Sequence, residues 1–571
     1  MTWTIPGSLP VHATHVATTT PAAAVRCFVM TTKDAGAKPA SRLVVFTDRA
    51  RRPAQTKTVL AFRAVRNGTG AALACAGLSG WFFLTSACGT RVVEHVNAPV
   101  DAGASVGFDG ASSPIGSSGE AGAFDATVGI DGPSGPGPDA GGPFGSDGDS
   151  GVATCPGQGT TSVSGTVYDP AGANPVPHAF VFVPTDPASL PAIAQGAASC
   201  GTCDVPLGSY VTATVTDATG SFSLKGVPTG ANVPVVIQLG KWHRELAVTT
   251  TSCQDTAFAA GVARLPRNHG EGDMPQMALL TGGLDDLGCL LVRIGIDPQE
   301  FSAPHAGGRL DVYRGLSSSG LSGLGAATGA PGLSSGTPGD CTNASCPLWS
   351  SKTSLEAYDI VLLACEGDTF DPSATPDGGI SFGNGGSNVT TAAKQNMHAW
   401  LGEGGKVFAT HFHYTWFANG PADFKGLATW LGSSVGNATG TLDVVTTFPK
   451  GQDLFTELAD AGALGSGSGL AVSGMSASVG TVNGPARAWL VDPSNGDPKH
   501  LTFATPVGGT CGKVAFTDLH AGGAPTGDIP TSCTARALTA QEKAIELLFF
   551  DLSSCVSDDS KAAPGPPPSA R

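Results

Sequence analysis

The hydrophobic pattern is most informative across residues 355–417. Residues 359–365 form a short apolar run of the length and composition of a strand buried on both faces. Residues 390–401 follow with Ala393, Met397, Trp400 and Leu401 at helical spacing, and Gly404-Gly405 supplies a stop. Residues 406–413 read as a second strand. Strand, helix and strand in this order predict a right-handed parallel crossover. Polar residues bunch where the strands end: Glu366 and Asp368 on the first, His411 and His413 on the second. In open α/β sheets, ligands sit outside those carboxyl ends.

The same patterning divides the rest of the chain. Residues 155–265 carry short β-branched or aromatic runs at 163–168, 179–183, 210–215, 221–224 and 233–239, separated by turn residues. They predict a β-sandwich. Residues 266–555 predict an α/β body: a strand at 277–280, a Gly282-Gly283 turn, and a helix over 284–294 with Leu284, Leu287, Leu291 and Ile294 on one face. Asp285 and Asp286 fall in that helix's first turn, where carboxylates favour the dipole. Further strands are expected at 309–313, 441–447, 488–491 and 512–520, with a long Gly/Ser loop over 315–347. Thr539-Ala-Gln-Glu542 is a capping box opening a helix with Ala544, Ile545, Leu548, Phe549 and Leu552 inward. Residues 89–154, rich in Gly, Ser, Asp and Pro, predict a disordered tether, and 556–571 a disordered tail. Residues 1–62 show no convincing periodicity and are expected to be a disordered extension, with the functional start near residue 60.

Charge and cysteine usage narrow the setting. The 571-residue chain has net charge −15, yet residues 1–88 hold ten Lys/Arg against two Asp/Glu, so the remainder is strongly acidic. That argues against nucleic acid as a partner. Residues 63–88 form a basic segment and an apolar run ending at Leu84-Thr-Ser-Ala-Cys88, a signal peptide with a lipobox-like end and Cys88 as the lipidation site. An ordinary signal peptide or an uncleaved anchor gives the same extracytoplasmic address, cell-envelope or secreted, with membrane contact only through the lipid anchor. Eleven cysteines lie beyond Cys88. In an oxidising compartment most pair, and an odd number leaves one free, with Cys365 and Cys289 the candidates. Cys200 and Cys203 are expected in structural disulfides rather than as a redox pair or half a zinc site.

Two resemblances add to this. Ser164-Gly-Thr-Val-Tyr-Asp-Pro170 together with the run from Thr216 through Asp217-Ala-Thr-Gly-Ser-Phe222 to Gly230 resembles a carboxypeptidase regulatory-like domain. That family implies a prealbumin-like sandwich acting as an accessory module without catalytic residues. Tyr358-Asp-Ile-Val-Leu-Leu363 and Gly404-Gly-Lys-Val-Phe-Ala-Thr-His411 resemble the class I glutamine-amidotransferase-like fold, a flavodoxin-like three-layer domain, and within it the ThuA-like branch. Amidotransferases carry a nucleophilic cysteine at the elbow after the second of these strands. His411 occupies that place here and no later His-x-Glu pair follows, so the resemblance does not imply that activity. Over residues 155–555 the chain also resembles uncharacterised secreted proteins of myxobacteria.

The candidate chemistry lies at the strand ends. His411 and His413, two apart on an expected strand, would point the same way, and so would Asp518 and His520 on the strand over 512–520. His411, His413 and His520 with Asp518 would suit zinc or iron. Glu366, His411 and His413 would serve as catalytic acid/base groups. The structural alternative is a set of hydrogen-bonded strand-end residues packed beside aromatic side chains. The main functional reading is binding of a carbohydrate or cell-wall ligand through Tyr414, Trp416, Asp518 and His520, with Phe417 adding a stacking face. The alternatives are a metal-assisted or acid/base hydrolase acting on sugars or cell-wall material, and a structural envelope protein. No cofactor is expected beyond the candidate metal.

Overall fold

The computed structural model describes residues 155, 160–196, 198–200, 207–316, 337–372, 388–432, 438–522 and 528–569, together with the backbone of five strands between residues 13 and 74. The chain divides into two compact units, 1–132 and 133–571. In the first, Ala13–Thr20, Ala23–Thr32, Ala40–Asp48, Leu60–Asn67 and Gly70–Ala74 pair in sequence order as an antiparallel meander. Residues 1–62, expected to lack order, carry the first three of these strands and the start of the fourth. Cys88 and the tether over 89–154 lie outside the described residues.

The second unit is multidomain in architecture, rich in sheet with interspersed helices. Its first part is a pair of facing sheets. One holds Trp242–Thr250, Gly230–Leu239, Phe180–Pro184 and Tyr210–Val215, the other Asp255–Ala257, Ser162–Thr166 and Ser221–Lys225. Val163, Val181, Leu224, Val235 and Ile237 fill the space between them. Phe180, Phe182 and Val236, on the opposite face of the larger sheet, are covered by Leu207, with Leu190 and Tyr210 packed beside it. Strand Phe180–Pro184 is therefore buried on both faces, which explains its unbroken apolar run.

The body is built on a ten-stranded sheet among the described residues. Its strands are β1 Met277–Leu280, β2 Phe301–Ser302, β3 Leu310–Tyr313, β4 Ile360–Leu363, β5 Lys406–Thr410, β6 Ala438–Val444, β7 Leu470–Met475, β8 Arg487–Val491, β9 Pro498–Thr505 and β10 Gly512–Thr517. The spatial order is β2-β3-β1-β4-β5-β10-β9-β8-β6-β7. The first six strands run parallel and the last four join antiparallel. From β1 the chain moves out to the edge strand β2, comes back through β3 and then crosses to β4 on the other side of β1. The carboxyl ends of β1 and β4 therefore flank the switch point where such sheets hold ligands.

Alternation within the strands produces two cores. Ala278, Leu280, Val361, Leu363, Val407 and Ala409 face helix α2 (Thr391–Leu401) through Met397, Trp400 and Leu401. Leu279, Ile360, Leu362 and Phe408 face α1 (Leu287–Arg293) and the C-terminal helix Ala540–Ser553, and this second core is continuous with the sandwich. Trp242 of the sandwich meets Phe550 of that helix at 6.0 Å between ring centroids. The boundary expected at 265/266 thus crosses one continuous apolar core. Gly404 has a φ of +112°, and a Cβ on Gly405 would fall 2.3 Å from the Trp400 ring, so both glycines of the stop are needed as glycine.

Disulfides Cys155–Cys253, Cys200–Cys511, Cys289–Cys533 and Cys341–Cys346 tie the unit together, and Cys555 is also disulfide-bonded. Among the described residues Cys365 is the free cysteine, so the leftover thiol is Cys365 and not Cys289. The tail departs from expectation. Val556 is buried, Asp559 pairs with Lys450 at 3.1 Å and Lys513 at 2.8 Å, and the Tyr210 hydroxyl donates to the Pro567 carbonyl at 2.6 Å. Charge pairing and main-chain hydrogen bonds hold this segment, and neither has an apolar signature. No described helix is long and apolar enough to cross a membrane.

Candidate functional site

Strand β5 stops at Thr410, whose hydroxyl donates to the Leu363 carbonyl at 3.1 Å. His411 then turns the chain with a φ of +41°, and a 3₁₀ turn His411–Tyr414 runs into the short helix Thr415–Ala418. A non-glycine residue in this region costs about 1–3 kcal/mol and persists where its surroundings hold it. The expected strand over 406–413 is therefore three residues too long, and the alternation that was to align His411 with His413 does not exist. The elbow itself falls on His411, as the sequence implied.

Three side chains converge there. Cys365 follows β4, His411 follows β5 and His520 follows β10, and these strands are neighbours in the sheet. His411 Nδ1 lies 3.3 Å from Cys365 Sγ and 3.2 Å from His520 Nε2. The three potential ligand atoms all lie within 4.8 Å of one another, and all three residues are buried. His520 Nδ1 is 2.6 Å from the Gly474 carbonyl, to which it donates, so its Nε2 presents a lone pair to the cluster. His411 Nε2 is buried without a partner. Burial, reinforced by His520 and His413, holds the His411 imidazole well below its ordinary pKa. Burial, with the Asp285 charge added, pushes the Cys365 thiol far up. Both groups are neutral, so the pair is no thiolate–imidazolium dyad.

The other expected site residues part company with this cluster. His413 accepts from Trp416 Nε1 at 3.2 Å on Nδ1 and donates from Nε2 to the Ala364 carbonyl at 3.0 Å. Both nitrogens are thus engaged, burial lowers its pKa to about 4, and it is no metal ligand. Glu366 is fully buried, and its Oε1 accepts from the Leu316 N–H. Asn388 Nδ2 lies 3.3 Å from both carboxyl oxygens. Burial pushes this carboxyl up to about 8, so it is protonated at neutral pH and anchors the loop after β3. Asp518 turns toward Ser478, whose N–H it accepts at 2.8 Å, and burial raises it to about 6. Asp368 caps its own turn, accepting from the Thr369 N–H at 2.6 Å.

The aromatic residues are core, not platform. Trp416 is 2 % exposed and packs edge-on against Trp349 at 4.8 Å. Tyr414 and Phe417 are 5 % and 1 % exposed and stack on Trp430. A sugar ring has no face of theirs to lie on, which removes the basis for carbohydrate stacking there.

Sequence reasoning missed two residues. Cys365 reads in sequence only as a leftover thiol, although its place just past β4 is a signal. Asp285 reads in sequence as a helix-dipole residue. It instead precedes α1, its Oδ1 accepting from the Ala521 N–H at 2.7 Å, while Oδ2 is buried without a partner. A separate cavity of about 220 Å³, lined by Leu190, Ile193, Leu207, Lys241, Asp359 and Lys406, opens at the amino ends of β4 and β5, away from the cluster.

In comparisons with known proteins, no family model, no curated protein and no solved structure matches the chain. The fold and site define a mixed α/β protein with a buried Cys/His/His cluster at its strand ends.

Proposed function

We propose that this protein is a metal-assisted hydrolase whose ion is held by Cys365, His411 and His520. The observation that carries the reading is the convergence of one thiol and two imidazole nitrogens within 4.8 Å of one another. Tetrahedral zinc, with bonds of about 2.0–2.1 Å to nitrogen and 2.3 Å to sulfur, requires ligand atoms roughly 3.3–3.6 Å apart. The 3.2 Å and 3.3 Å separations from His411 Nδ1 lie at the short edge of that range and the third pair lies within 4.8 Å, so small side-chain shifts would seat the ion. Thiolate and imidazole donors suit zinc and its neighbours rather than magnesium or calcium. A coordinated cation deprotonates a thiol outright, which would reverse the protonation that burial imposes on Cys365. A zinc ion held by these three residues would keep a position for water and would lower the pKa of that water toward neutrality, the chemistry of a catalytic zinc.

Sugars or cell-wall polymers are the proposed substrates, in keeping with an extracytoplasmic, lipid-anchored or secreted protein. The disulfides support that address, since they persist in oxidising compartments. Membership of the sandwich in the carboxypeptidase regulatory-like family and of the body in the ThuA-like branch is likewise proposed. The facing sheets and the left-handed His411 elbow support it.

The test is metal analysis of protein dialysed after exposure to zinc or cobalt, then screening of ester, amide and glycoside substrates with and without a chelator. One equivalent of metal, absent from H411A and H520A, and chelator-sensitive turnover are expected. Protein that retains no metal would overturn the reading.

A further inference from the structure

The residue that balances the charge of this site lies outside the ligand set. A divalent ion held by one thiolate and two neutral imidazoles carries a net charge of about +1, and a net charge is costly to bury. Asp285 sits beside all of this. The N–H of its neighbour Leu284 donates to the Cys365 carbonyl at 3.1 Å. The Asp285 Oδ1 accepts from Ala521, the residue after His520, at 2.7 Å. The side chain is 1 % exposed, its Oδ2 has no hydrogen-bond partner, and no Lys, Arg or His among the described residues forms an ion pair with it. An unbalanced buried carboxylate is expensive to keep. Asp286, the next residue, shows the contrast: it pairs with Arg293 at 3.1 Å.

We infer that Asp285 is the counter-charge of the metal centre, a positioning residue that selects a divalent over a monovalent ion. This rests on the metal reading above. With a divalent ion and the Cys365 thiolate, the Asp285 carboxylate brings the site to neutrality. With a monovalent ion the thiolate alone does so, and Asp285 then adds an uncompensated negative charge.

The experiment compares Co²⁺ and Ag⁺ affinities, by chelator competition, in the wild-type protein, D285N and D286N. The amide introduced by D285N keeps an oxygen acceptor for the Ala521 N–H and removes the charge, with an NH₂ group in the place of the unpartnered Oδ2. Co²⁺ binding to D285N should weaken about 10–100-fold, the order expected for losing one opposing unit charge near the ion. Ag⁺ binding should hold or tighten, and D286N should match wild type for both ions. Equal weakening of both ions would make Asp285 a structural anchor only and overturn the inference, as would no change in either. A wild-type protein that binds neither ion refutes the metal reading itself, a result separate from either. Should D285N not fold, D285S keeps a hydroxyl acceptor and serves in its place.

Discussion

His411 Nδ1 faces His520 Nε2 across 3.2 Å, and His520 has already given its other ring nitrogen to the Gly474 carbonyl. Two lone pairs in a buried space repel unless something lies between them or one ring carries the proton. Protonating His411 at Nδ1 relieves the contact but leaves its Nε2 a buried acceptor without a donor. A shared cation relieves it with both rings as ligands.

Removing a ligand should therefore empty the site without unfolding the protein. H520A is expected to lose bound zinc or cobalt and all metal-dependent turnover. H413A is expected to retain the metal, because His413 spends both nitrogens on Trp416 and Ala364. Elemental analysis of the two variants side by side checks the assignment, and a metal lost from H413A alone would reverse it.

Cys365 offers a second measurement. It is fully buried, and burial together with Asp285 keeps it a thiol. Iodoacetamide at neutral pH should leave the Cys365 peptide unmodified in the folded protein and label it after denaturation. Glutamine should release no ammonia with the wild type or with H411C, since the His-x-Glu pair of a thiol mechanism is missing after the elbow. Rapid native labelling accompanied by ammonia release would contradict both the burial and the chemistry.

Much of the framework was legible because it rests on apolar periodicity. The runs that became β1, β4, β5 and β10, and the capping box at Thr539 and Glu542, with Thr539 Oγ1 accepting from the Glu542 N–H at 3.2 Å, could be read from residue spacing alone. The site was half legible. His411 and His520 were found because they end strong strands. His413 is not legible, because the backbone turns at His411 and strand alternation does not reach it. Trp416 and Tyr414 are not legible as core, because an aromatic side chain reads the same in sequence whether it faces solvent or the core that α2 covers. Asp285 reaches the site through a partnership 236 residues away with Ala521, and no local pattern records that.

Glu366 tests whether the strand-end carboxylate works by chemistry or by anchoring. Its Oε1 accepts from Leu316 N–H and lies within reach of Asn388. E366Q preserves an acceptor and should leave the thermal midpoint and any turnover close to wild type. E366A strands buried donors and should cost about 1–3 kcal/mol of stability. Loss of turnover in E366Q with the metal still bound would restore Glu366 as a catalytic group.

The C-terminal segment makes the last case, through a four-residue charge network. Lys450 and Lys513 each contact both Asp551 and Asp559, at 2.6–3.2 Å, and all four are largely buried. Burial alone would raise both carboxyl groups, but the two lysines outweigh it and hold Asp551 and Asp559 below the ordinary value of 3.8. The folded pKa values lie under the unfolded ones, so the stabilisation is complete above the unfolded value. It drains as the pH falls through the folded pKa values, where the folded state at last binds the protons the unfolded chain already holds. D559N removes one carboxylate, leaves two buried lysines to share the other, and should cost about 3–5 kcal/mol at neutral pH. Its urea midpoint should also fall less steeply than that of the wild type between about pH 5 and pH 2. A D559N variant with wild-type stability at neutral pH would mean the tail merely rests against the body.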